Sequence, residues 1–261
     1  MKRPKLLTYS ISDNVVAFST MRTEGYGHGN YAAFNINRYC GDNPCDIALN
    51  QRALCVELGI DERNLVFPHQ THGTKGVFVD ADFLSLDKAA RMSRLEGCDY
   101  IATSVKGVCV GVSTADCVPL LLYCSDPMVA VAIHAGWRGT LQRITFSAVT
   151  DVAKRFGINP QNFRAAIGPS ISFDSFEVGD EVYDAFHSAA FDMNAIALRL
   201  RGKWHIDLWK ANTLQLIEAG LHADNIFISG ICTYKQYTDF FSARRLGIES
   251  GRIFSGIIIR R

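Results

Sequence analysis

The stretch Val108-Cys109-Val110-Gly111-Val112-Ser113-Thr114-Ala115-Asp116-Cys117-Val118-Pro119-Leu120-Leu121-Leu122-Tyr123 holds two apolar runs joined by a short polar turn. Each run has the length of a strand and is apolar at successive positions, so both of its faces must be covered. A third run, Val129 to His134, follows closely. Outward from these three, strand-like segments recur at Val15 to Ser19, Val77 to Val79, Tyr100 to Thr103, Ala165 to Ile167, Ile226 to Ser229 and Gly256 to Ile259. Helical patterns lie between them. Asp46 to Leu58 follows an Asn43-Pro44 opening, and Thr140 to Phe156 carries Leu141, Ile144, Val149 and Val152 on one face before Gly157. Two more run from Asp180 to Phe186 and from Leu208 to Glu218. Strands and helices interleave without one-to-one alternation, which predicts an α/β fold, a layered α/β sandwich with mixed β-sheets, rather than a barrel.

Composition narrows the function classes. The 261 residues are 48% apolar and 20% charged, enough for a substantial core and too apolar for disorder. With 27 Lys plus Arg against 26 Asp plus Glu, the formal charge is +1. No strong field therefore attracts nucleic acid or an anionic membrane, and any anion site must be local. The apolar runs are far shorter than the roughly 20 residues of a spanning helix. The opening Met1-Lys2-Arg3-Pro4-Lys5 is not that of a secretory signal, so a cytoplasmic location is expected. Eight cysteines in a chain of this length read as thiols, most of them packed as small hydrophobes. No linker and no internal repeat is visible, and residues 1–261 are expected to form a single domain.

Candidate chemistry lies at strand ends. Pro68-His69-Gln70-Thr71-His72-Gly73 sets two histidines three apart before a strand, while Cys117 and His134 fall at the ends of neighbouring apolar strands. Sites form at such ends in α/β sheets. One thiolate and two imidazoles suit zinc, and three protein ligands leave an open coordination position. The donors are scattered over about sixty residues, so spacing alone leaves a structural metal site, or no metal, as open as a catalytic one. A dinucleotide-binding reading of Gly25-Tyr26-Gly27-His28-Gly29 fails, because Asn30-Tyr31 and no helix follow; a mobile, turn-rich loop is expected there.

Taken together, Gly97-Cys98-Asp99-Tyr100, Ser113-Thr114-Ala115-Asp116-Cys117-Val118-Pro119, Ala132-Ile133-His134-Ala135-Gly136-Trp137-Arg138-Gly139-Thr140 and Ile167-Gly168-Pro169-Ser170-Ile171 closely resemble the laccase-domain family. That family is also called the polyphenol oxidase or peptidoglycan editing factor family, and its members are regarded as zinc-dependent purine nucleoside phosphorylases. The resemblance spans nearly the whole chain, from Phe18-Ser19-Thr20-Met21-Arg22 to Ser242-Ala243-Arg244-Arg245. It implies that His72, Cys117 and His134 are the zinc ligands and that Arg22 is a site arginine. It also implies purine nucleoside and phosphate as substrates, with adenosine deamination as a second reaction. Two positions depart from the family pattern. Glu24-Gly25-Tyr26-Gly27 follows the arginine in place of a Gly-Gly pattern, and Phe176 stands where tyrosine is common.

Phosphorolysis requires a dianion held against the anomeric carbon, which calls for a cation and N–H donors. Arg22 leads, with Arg138 and its adjoining helix start second, although an arginine after a tryptophan also braces turns by stacking. Asp116 can move protons or anchor its turn. Gln70 can orient the neighbouring ligand His72, whereas His69 and His28 read as outer or surface residues.

Rival classes make different demands. A copper oxidase needs His-x-His pairs and a histidine-flanked cysteine, and a cytidine-deaminase type needs His-x-Glu with Pro-Cys-x-x-Cys; neither pattern occurs. A metal-free hydrolase with Cys117 as nucleophile and His134 as base is chemically sound, as is a peptidoglycan-precursor editing enzyme on the same pair. A zinc-binding module without turnover is the remaining class. The expected state is monomer or homodimer, without nucleic-acid or membrane partners.

Overall fold

A computed structural model describes residues 2–260. Fourteen strands form three sheets among these residues. The five-stranded sheet has the order β1 (Leu6–Tyr9), β2 (Val15–Thr20), β14 (Ile253–Ile259), β6 (Cys109–Thr114) and β3 (Leu65–Val66). The six-stranded sheet has the order β13 (Ile226–Ile228), β9 (Arg164–Ile167), β7 (Val118–Ser125), β8 (Met128–Ala135), β5 (Tyr100–Thr103) and β4 (Gly76–Val79). A small antiparallel sheet joins β10 (Glu177–Val178), β12 (Lys203–Ile206) and β11 (Ala197–Leu200). Parallel pairs occur in both large sheets, at β3·β6, β4·β5 and β13·β9, so both are mixed.

The two large sheets pack face to face, and strand alternation decides what each residue meets. On β7, Leu121 and Tyr123 join Val110 and Val112 of β6 and Ile257 of β14 in the inter-sheet core. Their neighbours Leu120 and Leu122 face the other way, onto Ile144, Val149 and Val152 of the helix Ile144–Phe156 and Leu216 of the helix Leu208–Glu218. The outer face of the five-stranded sheet, carrying Phe18, Cys109 and Phe254, packs against Leu54 of the helix Pro44–Leu58 and against Phe34 and Ile36. The result is a helix–sheet–sheet–helix sandwich, as the apolar runs predict.

The helix expected over Thr140 to Phe156 is two helices, Trp137–Leu141 and Ile144–Phe156. Arg143 between them is left-handed at φ 63°. A neighbouring helix fills the break: Gln215 accepts from Phe146 N at 3.3 Å and donates to the Thr140 carbonyl at 2.9 Å. Buried Asn212 adds bonds to Thr140 and Thr145. Two backbone groups that a continuous helix would have satisfied are thereby paired, which a buried break requires.

The Gly25–Gly29 loop is tied into the body. Gly27 N donates to Ala33 O at 2.8 Å, and Asn50 holds Tyr26 N, Ala33 O and Asn35 O. A Cβ at Gly25 would stand 2.1 Å from Ala33 O, so glycine is required there by close backbone approach. No helix among the described residues is long and apolar enough to cross a membrane.

Candidate metal centre

His72, Cys117 and His134 converge, and their donor atoms all lie within 4.8 Å of one another. Three separate elements supply them. Cys117 ends the turn between β6 and β7, and β7 opens at Val118 opposite Ala135, which brings Cys117 beside His134 near the end of β8. Asp116 takes φ 85° to make that turn. His72, at φ 63°, lies in the loop between β3 and β4.

Cys117 Sγ is 3.8 Å from His72 Nε2, and the two imidazoles meet edge-on with centroids 4.8 Å apart. Ordinary Zn–S and Zn–N bonds around a tetrahedron set an S···N edge of about 3.6 Å. The donor set therefore fits a tetrahedral ion with three protein ligands. Gly136 leaves room for it, since a Cβ there would lie 2.8 Å from His72 Cδ2 and 3.0 Å from Cys117 Sγ.

Asp99 organises the histidines. Its carboxylate accepts from His134 Nδ1 at 2.8 Å and from the backbone N–H groups of Thr71, His72 and Gly73 at 3.2, 2.9 and 2.8 Å. His134 Nε2 is thus left to face the donor cluster, the usual arrangement of a metal-bound histidine. Burial pushes the Asp99 carboxyl up, yet the hydrogen bond and charge of His134 and the backbone donors outweigh it and hold it below the ordinary range. The Cys117 thiol behaves similarly: burial raises it, but His134 and His72 bring it down. Burial lowers His134, and Cys117 and Asp99 raise it further. Each of the two groups thus favours the charged form of the other.

A cavity of about 460 Å³ opens onto the cluster, walled by Tyr39, His69, Ser113, Thr114, Glu249 and Arg252 among others. His69 stacks on Tyr39 at 4.1 Å and bonds Glu96, so it forms part of the wall rather than the donor set. A larger cavity, about 690 Å³, lies between the helices Pro44–Leu58 and Lys88–Leu95. It shares Tyr39 with the first but contains no donor cluster, and the chemistry marks the smaller one as the site.

The other sequence candidates are placed as follows. Gln70 lines the cavity, but its amide is engaged with the backbone of Ser113, accepting from N at 2.7 Å and donating to O at 2.8 Å. It extends the edge of β6 beyond β3 and makes no bond to His72. Asp116 accepts from Thr233 Oγ1 and from Arg244 N, each at 2.7 Å, which engages both oxygens in anchoring its turn. Arg138 is exposed and stacks on Trp137 at 4.3 Å. Arg22 donates to the carbonyls of Ala32 at 2.5 Å and Tyr237 at 2.7 Å and lies over Phe241. Neither Arg22 nor Arg138 is among the residues lining the metal cavity. His28 is exposed and away from it.

Asp99 and Gly136 shape the site although their residue types alone do not announce it. Asp99 stands one residue before a strand, a position that by itself signals only a turn.

Comparison with known proteins agrees with this architecture. The family model described as multi-copper polyphenol oxidoreductase laccase matches residues 16–260. A purine nucleoside phosphorylase of Bacteroides thetaiotaomicron is 43% identical over 100% of this chain and 98% of that protein. Adenosine deaminase RL5, from an unknown prokaryotic organism, is also 43% identical and covers 94% of each chain. Among solved structures, Bacillus licheniformis YfiH superposes with a TM-score of 0.90 at 27% identity, covering 98% of this chain and 97% of that one. Geobacillus stearothermophilus YlmD follows at a TM-score of 0.89 and 28% identity, covering 97% and 94%. A match over nearly the full length, joined to the same fold, means that this chain belongs to the multi-copper polyphenol oxidoreductase laccase family.

Proposed function

We propose that this chain is a zinc-dependent purine nucleoside phosphorylase with adenosine deamination as a second reaction, acting in the cytoplasm. The observation that carries the reading is the three-donor cluster of His72, Cys117 and His134 opening onto a nucleoside-sized cavity. The names of two relatives, a phosphorylase and a deaminase, support the substrate class. Three protein ligands and an open position characterise catalytic rather than structural zinc. When bound, zinc supplies Lewis acidity at that position.

The chain's own residues do the rest. Asp99 fixes the ring of His134, and the Gln70 amide pins the His72 loop to β6. The stacked Tyr39 and His69 rings give the cavity a flat aromatic wall suited to a purine face. In phosphorolysis the bond between the anomeric carbon and the base nitrogen breaks, a phosphate oxygen bonds that carbon, and the base leaves with a proton. In deamination, water replaces the C6 amino group of adenosine and ammonia leaves.

The test is incubation of zinc-loaded protein with adenosine, with and without phosphate, followed by chromatography of adenine, inosine and ribose 1-phosphate. Adenine appearing only with phosphate is expected; its absence overturns the reading. A second reading, a metal-free hydrolase, is favoured by one observation: the lowered Cys117 thiol 3.8 Å from His72 Nε2. That hydrolase, or a peptidoglycan-precursor editing enzyme on the same residues, predicts full activity in chelator. One tightly held zinc per chain, required for turnover, excludes the metal-free form.

A further inference from the structure

Resting on the phosphorylase reading, we infer that Asn37 and Glu249 form the seat for the ribose 2′- and 3′-hydroxyls, so that the site selects ribonucleosides over 2′-deoxyribonucleosides. Both residues line the metal cavity, and Glu249 is the one carboxylate among the described residues that do so. It is exposed and has no ion-pair partner among them. Arg252, three residues on in the same wall, does not neutralise it, because its guanidinium is held by the carbonyls of Ile248, Ser250 and Gly251. A carboxylate with free acceptor oxygens at a cavity suits a ligand that brings donors, and a vicinal diol brings two side by side.

Asn37 supplies the complementary donor. Its Oδ1 accepts from Tyr39 N at 2.7 Å, which fixes the amide, and its Nδ2 donates to no described residue. A hydroxyl that donates to Glu249 keeps lone pairs for that N–H. The two residues come from distant parts of the chain, and Asn35 ties their segments together: fully buried, its Oδ1 accepts from Asn37 N and from Arg252 N, each at 3.1 Å. Tyr39, two residues after Asn37, carries the aromatic wall assigned to the purine, so the sugar seat adjoins the base.

The test is calorimetric titration of zinc-loaded protein, in phosphate-free buffer, with inosine, 2′-deoxyinosine and hypoxanthine. None is consumed there, because inosine has no C6 amino group and phosphorolysis needs phosphate. The wild type should bind inosine roughly tenfold to hundredfold more tightly than 2′-deoxyinosine, the worth of a hydrogen bond to a charged group. Glu249→Gln and Asn37→Asp should each weaken inosine and shrink that preference, with hypoxanthine affinity unchanged. Asn37→Asp keeps the acceptor for Tyr39 N, so the wall stays in place. Glu249→Gln should melt as the wild type does, since no protein group loses an ion-pair partner.

Equal wild-type affinity for inosine and 2′-deoxyinosine overturns the inference, as does a preference that both variants retain. A parallel loss of hypoxanthine affinity also overturns it, because that marks a displaced wall. Adenosine still cleaved with phosphate in those cases would leave the phosphorylase reading standing without the seat. A ribose preference that the variants lose, in a protein that releases no base with phosphate, would refute the phosphorylase reading and leave the seat standing.

Discussion

The buried carboxylate of Asp99 lies 2.8 Å from His134 Nδ1, and the same oxygen accepts from the backbone N–H of His72 at 2.9 Å. One side chain thus sets the ring of one metal ligand and the backbone of another. Asp99→Asn keeps the volume but places an N–H where an acceptor is needed. Metal affinity should fall about tenfold to hundredfold, as for other orienting partners of ligand histidines. Competition with a chromophoric chelator measures it, and an unchanged dissociation constant would show that Asp99 merely ties the 71–73 loop.

Gly136 is needed for space rather than for conformation. Its φ of −67° and ψ of 167° are open to any residue. A methyl group there would strike His72 Cδ2 and Cys117 Sγ. Gly136→Ala should therefore fold with a near-wild-type melting temperature while losing metal stoichiometry and turnover. Full metal content in that variant would mean that the two ligand side chains can shift aside at no cost.

The Cys117–His134 pair predicts a pH dependence. Burial works to raise the thiol, but His134 and His72 bring it from 9.0 down to about 6, and His134 moves upward from 6.5. With the thiol lowered and the imidazole raised, the metal-free pair is expected to hold a single proton near neutral pH. An incoming ion displaces it, so apparent affinity should rise with pH, by about tenfold per unit, between the two transitions. Below the lower transition the thiol is protonated too and the slope steepens. Calorimetric Zn²⁺ titration in buffers of different ionisation enthalpy counts the proton; none released at neutral pH would contradict that expectation.

The legible parts of this fold were those whose physics is local. β6, β7 and β8 are apolar at successive positions because both sheet faces are covered, and their ends carry Cys117 and His134. β10, β11 and β12 are not legible because they are short and bury only His205 and Ile206 fully, with little apolar pattern to read. The helix Lys88–Leu95 buries no residue fully and gives no core stripe. The break at Arg143 depends on Gln215, some seventy residues away, and no local signal in Leu141-Gln142-Arg143 announces it. The site divides the same way. Ligand chemistry is visible in residue type, but Asp99 and Gly136 matter through contacts made by the tertiary fold alone.

Arg22 is the residue on which sequence and geometry make different demands. As a phosphate ligand it should affect phosphorolysis and spare deamination. In the structure its Nε and Nη1 hold the carbonyls of Ala32 and Tyr237, and its own carbonyl accepts from Ala33 and Phe34 N. It clasps the loop after β2 to the segment ending at Phe241, over whose ring it lies at 5.0 Å. Losing two charge-assisted bonds of this kind costs about 1.5–3 kcal/mol each at most, less here because the side chain is half-buried. In a chain of this size each kcal/mol lowers the melting temperature by roughly 2–4 °C. Arg22→Ala should therefore melt several degrees lower and lose phosphorolysis and deamination in equal measure, while Arg22→Lys recovers little because an ammonium cannot span both carbonyls. The paired measurement is adenine release against phosphate concentration and inosine formation without phosphate. A selective rise in the KM for phosphate, with the melting temperature unchanged, would return Arg22 to the phosphate.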